Sequence, residues 1–204
     1  MEKIDFKKER RDLYDPSAKE ISVVTVPKMN FIMTDGEGDP NGSAAFQAAI
    51  DALFGVSYTL KFMIKKGETG MDYSVMPLEG LWWMEDMAGF SLERKDEWKW
   101  TLMIRQPEFV TPELFARAVE EVERKRGKIL PPLRLEDYEE GLSVQVMHIG
   151  PFAEEGPTIE RLHRFMAENG FEPHGKHHEI YLSDTRRAAP EKWRTVIRQP
   201  VARR

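Results

Sequence analysis

A glutamate and a tyrosine near the end of the chain have the spacing of a catalytic pair. Glu179 and Tyr181 lie two residues apart in a run that alternates polar and apolar side chains, E-I-Y-L-S. Side chains two apart on a β-strand share one face, so a carboxylate and a phenol converge there. If burial raises its pKa toward neutrality, Glu179 can act as general base on a water, while Tyr181 donates to an oxygen that gains negative charge. A wet polar face of an edge strand fits the same alternation.

A second carboxylate stands beside two indoles in the run P-L-E-G-L-W-W, where Glu79 precedes Trp82 and Trp83. Adjacent strand residues face opposite ways, so one indole can line a cavity while the other packs outside it. An indole face stacks a planar aromatic ligand or holds a cation, and a nearby carboxylate strengthens the preference for a cation. All three residues are therefore candidate ligand-binding residues, and burial of both indoles in an ordinary core is the alternative.

Two further residues are candidates for lining a ligand groove: His148 in a β-rich run, and Phe152 just after the break at Gly150-Pro151. A hydrogen-bonded structural histidine explains His148 equally well. The H-x-x-H-H-E cluster that begins at His174 lacks the helical H-E-x-x-H spacing of zinc sites, and the chain has no cysteine. We expect neither a metal nor another cofactor.

Composition bounds the class of protein. A length of 204 residues with 41% hydrophobic side chains fits one compact domain. The net charge of -5 argues against a general nucleic-acid surface. The first residues are charged and no apolar run reaches the roughly 20 residues of a membrane span. We therefore expect a cytoplasmic protein with a small-molecule partner and without direct nucleic-acid or membrane partners. The sequence leaves the oligomeric state open.

The chain also carries an internal repeat, W-T-L-M-I-R-Q-P at residues 100–107 and W-R-T-V-I-R-Q-P at residues 193–200. An internal repeat is the first feature to consider in predicting a fold, because each copy corresponds to one structural unit. The prediction is an α+β fold made of a pseudo-symmetric, duplicated β-α-β-β module, with antiparallel sheets, helices on one side and a ligand groove between the halves. Residues 1–20 are expected to form an arm with a short helical piece that lies on the surface. Residues 21–204 form a single domain with half-repeats at about 21–127 and 141–204.

Local signals place the elements of each half. In the first half they predict strand 21–33 with a break at Pro27, a turn at 35–42, a helix from the cap Ser43 through Lys66, strands 73–83 and 97–105 joined by a loop at 86–96, and a helix from the cap Thr111 to Gly127. In the second half they predict strand 142–149, helix 156–169, and strands 179–183 and 193–201.

The run Y-S-V-M-P-L-E-G-L-W-W from Tyr73, the E-I-Y-L-S-D-T-R-R run from Glu179 and the paired half-repeats resemble GyrI-like small-molecule-binding domains over essentially the whole chain. That family includes effector domains of multidrug-sensing regulators, inhibitors of DNA gyrase, and hydrolases of cyclopropanoid DNA-alkylating antibiotics such as yatakemycin. These runs are most similar to the stand-alone hydrolase branch, and no DNA-binding domain accompanies them.

The resemblance implies a hydrolase that opens a cyclopropane fused to a dienone, as a detoxifying protection of the cell. Water attacks the strained carbon while electrons flow to the carbonyl oxygen, which suits a carboxylate and a phenol on one face. Non-catalytic binding or sequestration of planar or cationic aromatic drugs is the first alternative, because it needs the same pocket. Inhibition of DNA gyrase is the second alternative.

Overall fold

A computed structural model describes residues 3–68, 70–85 and 94–204. The predicted loop at 86–96 lies largely outside these residues. The chain divides into two compact units. The first unit contains Met1–Phe6, Met29–Leu78 and Trp82–Tyr138, and the second contains Lys7–Lys28, Glu79–Leu81 and Glu139–Arg204.

The first unit follows the predicted order of strand, helix, strand and strand. Its elements are β2 (Met29–Glu37), α3 (Ala44–Lys66), β3 (Leu78–Trp83, of which Glu79–Leu81 belong to the second unit), β4 (Lys99–Gln106), α4 (Pro112–Arg126) and β5 (Arg134–Tyr138). Strand β2 pairs antiparallel with β4 on one side and β5 on the other. Ser43 and Thr111 cap α3 and α4 by accepting hydrogen bonds from the backbone N–H groups of Phe46 and Leu114.

The second unit repeats that order and adds short elements. Its helices and strands are α1 (Phe6–Glu9, which begins at the last residue of the first unit), α2 (Arg11–Tyr14), β1 (Ser22–Val26), β6 (Gly141–Ile149), α5 (Gly156–Glu168), β7 (Phe171–Pro173), β8 (His177–Tyr181) and β9 (Arg194–Arg203). The strands lie in the order β1-β6-β9-β8, and β7 also pairs with β9. The pairs β1–β6, β6–β9, β7–β9 and β8–β9 are all antiparallel. The predicted α+β class and the repeated module are therefore confirmed.

Register separates an apolar face from a polar one in the second unit. Val146 lies opposite Ile197, and one residue along Gln145 lies opposite Arg198. Because alternate residues face opposite sides, Val144, Val146 and Ile197 join the core under α5. Gln145 and Arg198 lie on the other face, and both are buried there.

The N-terminal arm differs from its prediction as a surface segment, because Leu13 and Tyr14 are buried. The backbone carbonyl of Asp12 accepts a hydrogen bond of 2.6 Å from Gln145, and that of Ser17 accepts one of 3.1 Å from the N–H of Met147. The arm thus satisfies polar groups of β6. The sequence gives no apolar period there because the arm is held by backbone groups, which any residue supplies.

Strand β2 continues through Gly36 and Glu37, although the sequence places a turn from residue 35. Gly36 lies opposite Trp100 on β4, and a Cβ atom at Gly36 would overlap the indole ring. Trp100 is buried over this glycine. The glycine therefore makes room for an indole rather than ending the strand.

Within the described residues, no helix combines the length and the apolar character needed to cross a bilayer.

We expect Gly36→Ala to lower the free energy of unfolding by about 1–3 kcal/mol, because the added methyl group overpacks against Trp100. Urea denaturation measures the change. In a Trp100→Leu background the same substitution should cost much less, which a double-mutant cycle detects. Gly156→Ala is the control, since a Cβ atom there meets nothing within 4 Å. Equal costs of Gly36→Ala in both backgrounds would contradict the assigned contact.

Candidate functional site

Strand β8 carries different polar groups on its two faces. His177, Glu179 and Tyr181 share one face, and His178 and Ile180 take the other. The alternation predicts this shared face for Glu179 and Tyr181. Tyr181 pairs with Thr195 and Glu179 with Ile197 on β9, so this first face is the one that also bears the core under α5.

Glu179 is held from both sides by its neighbours on the strand. The Tyr181 hydroxyl donates a hydrogen bond of 2.7 Å to Oε2, and Nε2 of His177 lies 3.1 Å from Oε1. The Glu179 side chain is 15% exposed. Its two hydrogen bonds fix the carboxylate in position.

Glu155 brings a second carboxyl group to this face. It is the residue immediately before α5 and is buried. Its Oε1 atom and the hydroxyl of Thr195 are both buried, and neither meets the full geometry of a hydrogen bond with a described residue. The two side chains nevertheless lie close enough for Thr195 to favour the ionised form of Glu155. Because buried polar atoms are nearly always paired, this incompletely bonded pair is suited to a polar ligand atom or a water.

The two carboxyl groups differ in ionisation. Burial, followed by the negative charge of Glu179, raises the pKa of Glu155 to about 9. Burial opposes ionisation of Glu179 as well, but the hydrogen bonds from His177 and Tyr181 and the charges of His177 and His178 outweigh it and hold the pKa of Glu179 below its usual range. At neutral pH the pair therefore consists of one carboxylic acid and one carboxylate. The condition that burial raises the pKa of Glu179 toward neutrality is not met, and the raised pKa belongs to Glu155.

Aromatic rings stand beside this pair. The Phe152 ring lies 5.5 Å from Tyr181 in an edge-to-face arrangement and 5.0 Å from Trp193. Phe152 is 41% exposed, while Tyr181 and Trp193 are half-buried. The indole nitrogen of Trp193 donates a 2.8 Å bond to the carbonyl of Ala188, which fixes its ring. The three rings form a partly exposed apolar wall, called the aromatic wall below.

His148 fastens the segment that carries Glu155. Its Nδ1 lies 3.0 Å from the hydroxyl of Thr158, and its Nε2 lies 3.2 Å from the carbonyl of Pro151. Since a carbonyl only accepts, Nε2 carries the proton and Nδ1 accepts from the threonine. Both ring nitrogens of His148 are thus bonded to chain positions on either side of Glu155, which makes it a positioning residue rather than a wall of the site.

The opposite face of β8 holds a buried ionic network, which we call the His178 network. His178 donates from Nδ1 to Glu140 over 2.9 Å and from Nε2 to Glu79 over 3.0 Å. Arg198 donates to Glu140 over 3.2 Å, to Gln145 over 2.9 Å and to the carbonyl of Leu13 over 2.7 Å. All of these side chains are buried, and that of Glu140 is 1% exposed.

The charges of this network balance. Burial alone would lower the pKa of His178, but the carboxylates of Glu140 and Glu79 raise it to about 9. Burial likewise opposes ionisation of Glu140, and the charges of His178 and Arg198 hold its pKa below the usual range. Two cations thus face two carboxylates. Glu79 also accepts a 3.2 Å bond from the Tyr14 hydroxyl, so both of its oxygens are bonded on the face away from Glu179.

The two indoles of the P-L-E-G-L-W-W run belong to the first unit. Trp82 is buried, with its ring 5.9 Å from Phe46 and 5.5 Å from Trp98. Trp83 is half-buried. The alternative of an ordinary core position thus describes Trp82.

Of the seven residues that the sequence nominates, Glu179, Tyr181 and Phe152 come together, and His148 on β6 bonds to the carbonyl of Pro151, next to Phe152. Sequence reasoning missed Glu155, Glu140 and Thr195, since no local pattern marks them. Arg198 had one signal, its repetition as Arg105. Among the described residues, no group of three or more histidine, aspartate or glutamate side chains has the arrangement needed to hold a metal ion.

Comparison with known proteins identifies the class. The chain matches the GyrI-like small molecule binding domain over residues 19–202, and it therefore belongs to the GyrI-like family. A solved structure of an uncharacterized conserved protein from Listeria innocua is 45% identical, with a TM-score of 0.90 over 98% of this chain and 100% of that chain. Two structures described as a hydrolase from the same organism are 44% and 43% identical, with TM-scores of 0.86 and 0.84 and the same coverage. No curated protein matches the sequence.

We expect the free energy of unfolding to fall as pH rises from about 6.5 to 9. His178 has a raised pKa in the fold, so its contribution is complete below 6.5, its ordinary value, and is lost as pH passes about 9. The difference corresponds to about 3 kcal/mol. Glu155 also binds its proton more tightly in the folded state, and it acts in the same direction. Urea denaturation across this pH range measures the sum.

Histidine ring-proton NMR separates the two contributions. One histidine, assigned as His178 through its loss in His178→Gln, should titrate near pH 9. Glu79→Gln removes one of the two carboxylates and should lower that midpoint. A His178 midpoint that stays at the ordinary value in the wild-type protein would contradict the buried ionic network.

Proposed function

We propose that this protein is a hydrolase that adds water to electrophilic, planar aromatic molecules of the cyclopropanoid type and so protects the cell from DNA alkylation. The observation that carries the proposal is the pair of neighbouring carboxyl groups, Glu155 and Glu179, whose environments drive their pKa values apart. Such a separation assigns an acid and a base to one site. The hydrolase description of relatives from Listeria innocua at 44% and 43% identity supports the same class of reaction.

In the proposed reaction, a water oxygen bonds to the strained methylene carbon of the substrate as the cyclopropane C–C bond breaks. The released electron pair moves through the ring to the dienone oxygen, which becomes a phenol oxygen. Glu155 donates the proton that this oxygen takes up. Glu179 accepts a proton from the attacking water. Because that oxygen becomes a strongly acidic oxonium on bonding to carbon, a carboxylate of low pKa is a sufficient base.

The pair can reset without an outside group. After one turnover Glu179 holds a proton and Glu155 is ionised. The proton then moves to Glu155, because its pKa is the higher of the two and the carboxyl groups lie close enough to influence each other's ionisation. Tyr181 takes a different role from the one predicted for it, since its hydroxyl already donates to Glu179 and orients it.

The aromatic wall supplies the binding surface in this proposal. Phe152 presents an exposed ring next to Tyr181, and a planar ligand stacked there would gain apolar burial and ring–ring contact. Sequestration without turnover would use this surface alone. The carboxyl pair is the feature that favours hydrolysis.

Incubation with a yatakemycin-type cyclopropanoid, followed by mass spectrometry, tests turnover. The product should gain the mass of one water over many cycles per protein molecule, and labelled oxygen from water should appear in it. Glu179→Gln should lower kcat by about 10²-fold or more while binding persists. Binding without product in the wild-type protein would leave sequestration as the function, and an unchanged kcat in Glu179→Gln would remove the assigned base.

The pH profile of kcat/KM tests the acid. We expect a fall above about pH 9 as Glu155 loses its proton. Glu155→Gln should lower the rate and abolish that fall. Its matched control is Glu154→Gln, which changes the adjacent, exposed glutamate and should leave rate and profile intact. The proposed proton donor is refuted if Glu155→Gln retains both the wild-type rate and the alkaline fall.

Phe152→Ala should raise KM several-fold with little change in kcat, because a stacking contact binds the ground state and the transition state alike. Ile149→Ala is the control, since it trims another exposed apolar side chain close by in the sequence. Steady-state kinetics at fixed pH gives KM and kcat for both variants. A large loss of kcat in Phe152→Ala would instead place this ring among the groups that orient the reacting atoms.

A further inference from the structure

Arg105 on β4 is a buried cation without a carboxylate partner. The residue is 8% exposed, and its Nη1 atom is buried and makes no hydrogen bond. No ion pair involving Arg105 occurs among the described residues. A guanidinium keeps its proton at any physiological pH, so burial cannot neutralise it.

Two of the residues beside Arg105 on its face of the sheet are apolar. Phe31 lies opposite Arg105 on β2, and Met103 lies two residues away on the same face. Both are buried. The Phe6 ring covers the guanidinium at 4.9 Å from Cζ. This contact is favourable, but it offers no acceptor for the N–H groups. Removal of a charged group from water without a partner costs several kcal/mol.

The repeat provides an internal comparison. Arg198 holds the equivalent position in the second half, in the shared I-R-Q-P run. There the guanidinium is surrounded by acceptors: Glu140, Gln145 and the carbonyl of Leu13. The same residue type is thus compensated by the chain in one half and not in the other.

We infer that Arg105 is the binding point of an anionic ligand, either a carboxylate or a small tetrahedral oxyanion. The Phe6 ring lies over the guanidinium but accepts no hydrogen bond in the plane of its N–H groups. Paired oxygens of these anions match two parallel N–H groups. This inference is independent of the hydrolase proposal and concerns another unit of the chain.

Thermal unfolding of the full chain tests the inference, with sulfate, phosphate or acetate replacing chloride at constant ionic strength. We expect a saturable rise of the midpoint for at least one anion. An anion present at ten times its dissociation constant raises the folding equilibrium constant about tenfold. For a chain of this size, that raises the midpoint of thermal unfolding by a few degrees. The three anions distinguish a carboxylate site from a tetrahedral oxyanion site. The Arg105 Nε–Hε resonance of the wild-type protein should shift with the same saturation.

Variants separate binding from the general effect of salts on stability. Arg105→Gln should abolish the saturable part and leave only a linear dependence, and Arg105→Lys should weaken binding about tenfold because it loses the paired geometry. Arg134→Gln is the control, since Arg134 is a half-buried arginine of the same unit that is already paired with Asp35 and Glu136. The absence of saturation and of an Arg105 resonance shift with all three anions overturns the inference, as does an equal loss of saturation in Arg134→Gln. If Arg105→Gln does not fold, Arg105→Lys and the wild-type resonance decide.

Discussion

The buried His178 network constrains the rest of the second unit. It joins β8 to β9 through Glu140 and Arg198, and it joins β8 to Glu79 and to the N-terminal arm through Tyr14 and Leu13. A buried charge that loses its partner is strongly destabilising, so a shift of β8 by one residue, which would turn His178 to the other side, is disfavoured. The network thereby fixes which face of β8 carries Glu179. The geometry of the candidate site follows from an interaction on the opposite side of the strand.

The carboxyl groups on the two faces of β8 differ in ionisation because they have different cationic neighbours. Glu140 and Glu79 face His178 and Arg198, whose positive charges offset the cost of burial. On the other face, His177 bonds to Glu179, whereas the charged group that acts on Glu155 is the carboxylate of Glu179, an anion. Proton uptake is then the remaining way for Glu155 to avoid a buried charge. Residue type does not separate the ionised carboxyl groups from the protonated one here, whereas the number of nearby cations does.

Much of the fold could be predicted from sequence, because local signals determine it. The caps Ser43 and Thr111, the glycine after α4 and the repeated strand run all act within a few residues. Strand β5 escaped prediction because it is an edge strand rich in charge, R-L-E-D-Y, without an apolar period. The roles of Glu79 and Glu155 escaped for another reason. Glu79 is bonded by His178, which lies 99 residues away in the sequence, and the pKa of Glu155 depends on Glu179 on another element. Only tertiary contacts reveal such roles.

Glu155 and Arg105 are two instances of one physical situation. Each is a buried ionisable group with one atom that makes no hydrogen bond of full geometry to the described residues. They differ in how the cost can be relieved. A carboxyl group can take up a proton, which makes it an acid poised to give that proton to a bound molecule. A guanidinium cannot lose its proton, so only an anion can offset the cost of burying its charge. Arg198 shows that the chain can provide such compensation at the equivalent position of the repeat. In both proposals an uncompensated group marks the ligand site, and its proton chemistry determines the kind of ligand.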